Sequence, residues 1–160
     1  MKIFLVFLSL CVCALSAETL HVGSKLSQLN SFKYETPNGR EVKIPKTVSL
    51  VIVAFEKDTG ILVNEYLNTK DSFYLQKNNS IFIADIHDTP KFLTNMFALP
   101  KLRKFKHPIY LHYEDKFHTV VPSKKKKVTL VHIKDSKIDN ISYISTKEAL
   151  KAAIENFSIN

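Results

Sequence analysis

Apolar and polar residues alternate twice near the start of the chain, over residues 32–36 and again over residues 40–44. The sequence Pro37-Asn38-Gly39 lies between them, and Asn-Gly between two alternating runs predicts a β-hairpin. Residues 49–55 are almost continuously apolar and rich in β-branched side chains. That pattern predicts a strand that is buried on both faces of a sheet.

Two helical patterns follow, separated by a second apolar run at residues 81–86 that predicts another buried strand. The first helix is predicted to begin with Asp58 or Thr59 as its N-cap. The second is predicted to begin at Thr89 and Pro90, which are residue types that favour helix starts. The apolar side of the first helix contains Leu62, Val63, Tyr66 and Leu67, and that of the second contains Phe92, Leu93, Met96 and Phe97.

The remaining elements are a short strand at residues 109–113, a hairpin and a last helix. Residues 128–133 and 138–144 form the hairpin across the polar turn 135–137. Ser145 and Glu148 have the spacing of a capping box, and the helix after them has Leu150, Ala153, Ile154 and Phe157 on one side. This order of elements predicts an α/β fold with a mixed sheet, helices on both faces and an N-terminal β-hairpin.

Residues 1–17 have the features of a secretory signal peptide: Lys2, an apolar run that is too short to span a bilayer, and small residues at Ala14, Ser16 and Ala17. Cleavage is expected after Ser16 or Ala17, leaving one domain at residues 18–160 and no transmembrane segment. Both cysteines, Cys11 and Cys13, lie in the removed part. The mature chain is therefore expected to form no disulfide, thiolate nucleophile or cysteine-ligated metal site.

The order of elements over about residues 20–157 resembles the thioredoxin-like superfamily, above all the branch of peroxiredoxins and periplasmic thioredoxin-like proteins. The resemblance is carried by residues 22–23, by the strand that ends in Phe55, and by the strand, turn and returning strand of residues 130–138. It implies a redox pair at about Gly60 and Val63, and a cis-proline at Lys127. None of these three positions has the residue that the family uses. We therefore expect neither thiol–disulfide oxidoreductase nor thiol peroxidase activity, and no cofactor.

Asp85, His87 and Asp88 follow the second buried strand, at the end where open α/β sheets bind ligands. Their carboxylates and imidazole suit a divalent metal or a base with its orienting acid, which gives metal binding as an alternative function. Asp88 and Thr89 also fit a helix cap, with His87 in an exposed loop. A second polar group around residues 109–113 has no dedicated zinc spacing and also fits a solvated edge strand; it contains His107, His112, Glu114, Asp115 and His118.

Positive charge is concentrated in residues 91–127, the basic segment, which has ten Lys and Arg residues against two acids. Its candidate binding residues are Lys101, Arg103, Lys104, Lys106, Lys124, Lys125 and Lys126. Aromatic residues lie among them, but an exported protein seldom meets nucleic acid, so we expect no nucleic-acid partner. An anionic membrane surface or envelope protein fits better, and a solvated lysine-rich loop that aids solubility stays open. The hypothesis is therefore a redox-inactive binding or accessory protein, periplasmic or secreted.

Overall fold

One mixed sheet of seven strands organises the computed structural model, which describes residues 18–90 and 94–156. The strand order across the sheet is β2-β1-β5-β4-β3-β6-β7. The strands are β1 (Tyr34–Glu35), β2 (Glu41–Val42), β3 (Leu50–Ala54), β4 (Ser80–Asp85), β5 (Tyr110–His112), β6 (Val128–Lys134) and β7 (Lys137–Ile144). The predicted α/β class, mixed sheet and N-terminal hairpin are confirmed.

The centre of the sheet is β3, which pairs in parallel with β4 and antiparallel with β6. All five of its residues are buried, as expected of an apolar run with helices on both sides. Because β5 also runs parallel to β4, the carboxyl ends of β3, β4 and β5 meet along one end of the sheet. In open α/β sheets, that end is where ligands bind.

Helices cover both faces of the sheet. Their bounds are α1 (Leu26–Leu29), α2 (Lys57–Leu67), α3 (Tyr74–Lys77), α4 (Leu99–Leu102), α5 (Phe117–Val120) and α6 (Lys147–Asn156). One face packs against α2, α3 and α6, and the other against α1 and α5. The sequence patterns predicted α2 and α6 but missed α1, α3 and α5, since a four-residue helix is too short to show a period.

Two predicted helix starts are wrong by one to three residues. Helix α2 begins at Lys57 with Glu56 as its N-cap, and Thr59 instead accepts a hydrogen bond from the Glu56 N–H through Oγ1 at 3.2 Å. Helix α6 begins at Lys147, and the Oγ1 of Thr146 accepts the Ala149 N–H at 3.2 Å. The cap of α6 is thus one residue later than the predicted Ser145.

The segment after β4 also differs from its prediction. Residues Thr94–Ala98 form a π-helical turn that continues into α4, where Pro100 lies in the first turn. The predicted apolar stripe is wrong at Met96 and Phe97, which are exposed, because Leu99 and Leu102 provide the side that packs on the core.

Several sequence predictions concern residues outside the ranges 18–90 and 94–156. The signal peptide at residues 1–17 lies outside the described residues, as do Lys91, Phe92, Leu93 and Phe157. In the part that is described, no helix combines the length and the apolar character that crossing a bilayer requires.

Candidate functional site

The junction between β3 and α2 is the place where the sequence resemblance puts a redox pair. Gly60 and Val63 stand there, and Val63 is fully buried in the helix-side core. Residues 18–160 contain no cysteine, so no thiol can replace them. Among the described residues no peptide bond is cis, and Lys127 occupies the position that the resemblance gives to the cis-proline.

A turn of four lysines, Lys124–Lys127, faces this junction; we call it the lysine turn. Lys126 is in the left-handed conformation (φ 57°), and its backbone N–H donates to Oε1 of Glu56 at 2.9 Å. The ammonium group of Lys124 lies 4.4 Å from the ring centroid of Tyr143, which is a cation–π distance. The turn is therefore fixed at both ends while its side chains stay exposed.

Asp85, His87 and Asp88 come together as the sequence predicted, at the carboxyl end of β4. The Asp85 side chain is fully buried, and its Oδ2 lies 2.9 Å from Nδ1 of His87. On the other side of the ring, Nε2 lies 3.0 Å from Oδ1 of the exposed Asp88. Both ring nitrogens of His87 therefore lie within hydrogen-bonding distance of a carboxylate oxygen, one on a buried and one on an exposed side chain.

A metal ion would have to displace these bonds, since it needs a lone pair on an imidazole nitrogen. Within residues 18–90 and 94–156, no group of three or more potential ligand side chains is arranged to hold a metal. His118 of α5 does lie near, but it stacks on the His87 ring with centroids 4.8 Å apart and planes 12° apart. The metal alternative therefore stays a prediction without geometric support in this part of the chain.

His112, at the end of β5, is fully buried and structural. Its Nδ1 lies 3.0 Å from the Lys33 carbonyl, and its Nε2 accepts the Glu114 N–H at 3.2 Å. The ring packs against Phe117 at a centroid distance of 4.4 Å. Because its nitrogens bond the backbone of two different loops, His112 holds those loops to the sheet. The exposed Glu114 and Asp115 do not join it in a ligand cluster.

His107 is buried against helix α2 and the ring of Phe105. Its Nε2 lies 2.9 Å from Oδ1 of Asn64, while its Nδ1 has no hydrogen-bond partner. Burial lowers the pKa of His107 to about 4, so the ring is neutral at pH 7. A neutral ring that donates through Nε2 to an amide oxygen is a core residue, and the sequence grouping of His107 with His112 and His118 does not correspond to one site.

The cations of the basic segment fall into two groups. Lys101, Arg103, Lys104 and Lys106 lie in and after α4, and Nε of Arg103 donates to the Pro37 carbonyl in the β1–β2 turn at 3.0 Å. The lysine turn instead contacts Tyr143 of β7. Strands β1 and β7 are five steps apart in the sheet, which is roughly 24 Å at about 4.8 Å per step. Salt screens charges over about 8–10 Å, so the two groups act independently.

A cavity of about 590 Å³ lies beside the first group, between the β1–β2 turn, the loop after β4, and α4. Its lining includes Pro37, Ile86, His87, Leu99, Arg103 and Tyr113. Arg103 of the basic segment and His87 thus line the same cavity, although the sequence predicted them in two separate candidate sites.

Sequence comparison finds no matching protein family and no matching curated protein. By structure, the chain is similar to a Chlorobium tepidum protein assigned to the DsbE thiol:disulfide interchange proteins (19% identity, TM-score 0.55, 88% of this chain and 99% of that one). The chain has a thioredoxin-like fold. It is also similar to a thioredoxin-like protein from Porphyromonas gingivalis (13%, 0.53, 79% and 89%) and to Xanthomonas campestris peroxiredoxin Q (9%, 0.52, 89% and 99%).

Identities this low carry the fold and not the activity. In this thioredoxin-like domain, the junction between β3 and α2 carries Glu56 and Val63 and faces the lysine turn. Sequence reasoning missed Glu56, because glutamate is not a favoured N-cap residue. It also missed the stacking of His118 on His87, because no local pattern shows that α5 lies against the loop after β4.

Proposed function

We propose that this thioredoxin-like chain is an exported, redox-inactive binding or accessory protein of the cell envelope, periplasmic or secreted. It attaches to an anionic partner protein or membrane surface through the cations of the basic segment. The lack of cysteine after residue 17 supports redox inactivity, since thiol–disulfide exchange requires a thiolate. The signal-like sequence of residues 1–17 supports export.

One observation carries the binding role: seven exposed cations without an acidic partner among the described residues are concentrated in the basic segment. Elsewhere in the described residues, Lys70, Lys77, Lys147 and Lys151 each form an ion pair with a carboxylate, and the unpaired lysines there are scattered along the chain. Within that same part of the chain, no carboxylate lies within ion-pair distance of the candidate residues Lys101, Arg103, Lys104, Lys106, Lys124, Lys125 and Lys126. These side chains are exposed, so their charge is available to an anionic surface.

The test measures salt-sensitive attachment of the processed protein to native envelope fractions by sedimentation. We expect the wild type to sediment with the fractions at low salt and to be released at high salt. The variant K101Q/K104Q/K125Q/K126Q should fold normally and lose this attachment, since each cation near an anionic surface contributes about 1 kcal/mol.

A charge-matched control separates this role from a general effect of net charge. Lys33, Lys43, Lys46 and Lys57 are also exposed but lie outside the basic segment. Their replacement with Gln removes the same charge, and we expect attachment to be retained. Equal sedimentation of wild type and K101Q/K104Q/K125Q/K126Q would leave the basic segment with a solubility role only.

Two measurements on the native protein accompany this test. Mass spectrometry should find the N-terminus at Ala17 or Glu18, whereas an intact Met1 or a lipid on Cys11 or Cys13 would contradict export by cleavage. Metal analysis of the purified protein addresses the alternative function. A divalent metal retained in stoichiometric amount would favour the Asp85, His87 and Asp88 site over the binding role.

A further inference from the structure

An exposed apolar pair accompanies one of the two cation groups. Met96 and Phe97 are 58% and 57% exposed, and they lie in the π-helical turn that leads into α4. Lys101 and Lys104 follow on the exposed side, while Leu99 and Leu102 pack on the helix-side core. The segment is thus anchored to the domain by one side and presents apolar and cationic side chains together on the other.

The segment that contains this pair carries charge of one sign. Residues 94–113 contain Lys101, Arg103, Lys104 and Lys106 and no acidic side chain. Lysine and arginine beside exposed large apolar side chains are the combination by which a helical segment lies in the interface of an anionic bilayer. The ammonium groups bind lipid headgroups, and the apolar side chains enter the boundary with the acyl chains.

Exposure of an aromatic residue is not by itself sufficient for binding to an anionic bilayer, as Phe73 shows. It is 61% exposed, but the ion pair between Asp71 and Lys77 neutralises its surroundings. The lysine turn shows the converse. It is cationic, but none of the exposed large apolar side chains of the described residues belongs to it. Among the exposed large apolar side chains of the described residues, only Met96 and Phe97 are adjacent in the sequence, and four cations follow them in the same segment.

We propose that the segment from Met96 to Lys106 docks the domain onto an anionic lipid surface, with Met96 and Phe97 entering the interface. This inference rests on the proposed function and specifies the partner of one of its two cation groups. A protein partner would need a complementary face of about 800 Å², whereas a bilayer needs only this short protruding segment and its cations.

The chain contains no tryptophan, so one introduced tryptophan reports a single position. The processed protein with Phe97→Trp is mixed with vesicles of phosphatidylcholine and phosphatidylglycerol, and separately with vesicles of phosphatidylcholine alone. We expect a blue shift of the emission only with the anionic vesicles, because the indole then leaves water. Phe73→Trp is the matched control and should not shift with either vesicle.

Charge variants show which cations contribute to vesicle binding. In the Phe97→Trp background, K101Q/K104Q should weaken binding to the anionic vesicles about 30-fold, or about fivefold for each charge removed. K125Q/K126Q removes the same charge from the lysine turn. It should change binding to the anionic vesicles by less than about threefold, since only screened long-range attraction is lost. Both variants keep the core side chains Leu99 and Leu102, and their circular dichroism should match the parent.

The outcomes separate this inference from the proposed function. An unshifted Phe97→Trp spectrum with anionic vesicles, or equal vesicle binding by K101Q/K104Q and its parent, overturns the lipid-docking inference. If the protein then still attaches to envelope fractions and K125Q/K126Q abolishes that attachment, an anionic protein partner at the lysine turn is supported and the proposed function stands. If no variant changes attachment, the proposed function fails as well.

Discussion

The carboxylate of Glu56 accepts a hydrogen bond from the backbone N–H of Lys126 at 2.9 Å, joining the start of α2 to the lysine turn. The bond crosses the edge at which the sequence resemblance places a redox pair and a cis-proline. Lys126 has a φ of 57°, a conformation that non-glycine residues adopt at some cost. The acceptor at Glu56 therefore offsets part of the strain of a turn whose charges repel one another.

Replacing Glu56 tests this link. We expect Glu56→Ala to lower the free energy of unfolding by about 1 kcal/mol, because an exposed hydrogen bond to Lys126 and the side chain that caps α2 are lost together. Hydrogen exchange at the Lys126 amide should become faster, which a change elsewhere in α2 would not produce. Glu56→Gln keeps an acceptor oxygen and should restore most of the protection. Unaltered exchange at Lys126 in Glu56→Ala would show that the bond does not hold the turn.

Asp85 and Asp88 flank the same imidazole but should contribute very differently to stability. Asp85→Ala removes a fully buried carboxylate and leaves the His87 ring and backbone N–H without their acceptor. We expect a loss of roughly 2–3 kcal/mol in the free energy of unfolding, measured by urea denaturation. Asp88 is 86% exposed in its side chain, and Asp88→Ala should cost less than about 1 kcal/mol. Equal losses from the two variants would contradict the buried geometry of Asp85.

Acid should destabilise the domain through His107. Its folded-state pKa of about 4 lies below the value of about 6.5 expected in the unfolded chain, so protons bind the unfolded state more tightly. Stability should be unaffected by this group above about pH 6.5 and should fall as the pH is lowered from there to about 4, by no more than about 1.4 kcal/mol per pH unit.

His107→Gln should reduce that acid-dependent loss while keeping a donor for Asn64. The measurement is the free energy of unfolding in urea at several pH values between 4 and 7. Some loss should remain, because burial also lowers the pKa of His132. A profile for His107→Gln that parallels the wild type would show that His107 is solvated in the folded state.

The processed domain should be inert in thiol chemistry. Without cysteine after residue 17, it should neither reduce insulin disulfides nor consume peroxide through a thiol. Its thermal midpoint should be identical with and without reductant, because there is no disulfide to reduce. Scanning calorimetry under both conditions provides the measurement, and a reductant-dependent midpoint would mean that residues 11–13 are retained.

The fold was largely predictable because its main signals are local. The apolar runs of β3 and β4 and the turn at Asn38 and Gly39 need no tertiary information, and each forms as expected. Helix starts were less predictable, since α2 is capped by Glu56, which is not a favoured N-cap residue type and whose side chain also bonds Lys126, seventy residues away.

The candidate site was predictable only in part, for the same reason. Asp85, His87 and Asp88 are close in sequence, so a short pattern finds them. The separation of Arg103 from Lys124 depends on which strands they contact, and adjacency in the sequence suggested a single basic surface instead. Met96 and Phe97 were assigned to the packed side of a helix because periodicity cannot show where a π-helical turn shifts the register.

The pairing of β3 also governs the order in which the chain can fold. Leu50 is opposite His132 in the sheet, and the Gly23 N–H bonds the Ile138 carbonyl, so both the centre of the sheet and the N-terminal segment are completed by the last quarter of the sequence. Contacts this distant in sequence make folding slow, since a long loop must close before they form. A chain synthesised from its N-terminus therefore stays incompletely folded until nearly all of it has left the ribosome.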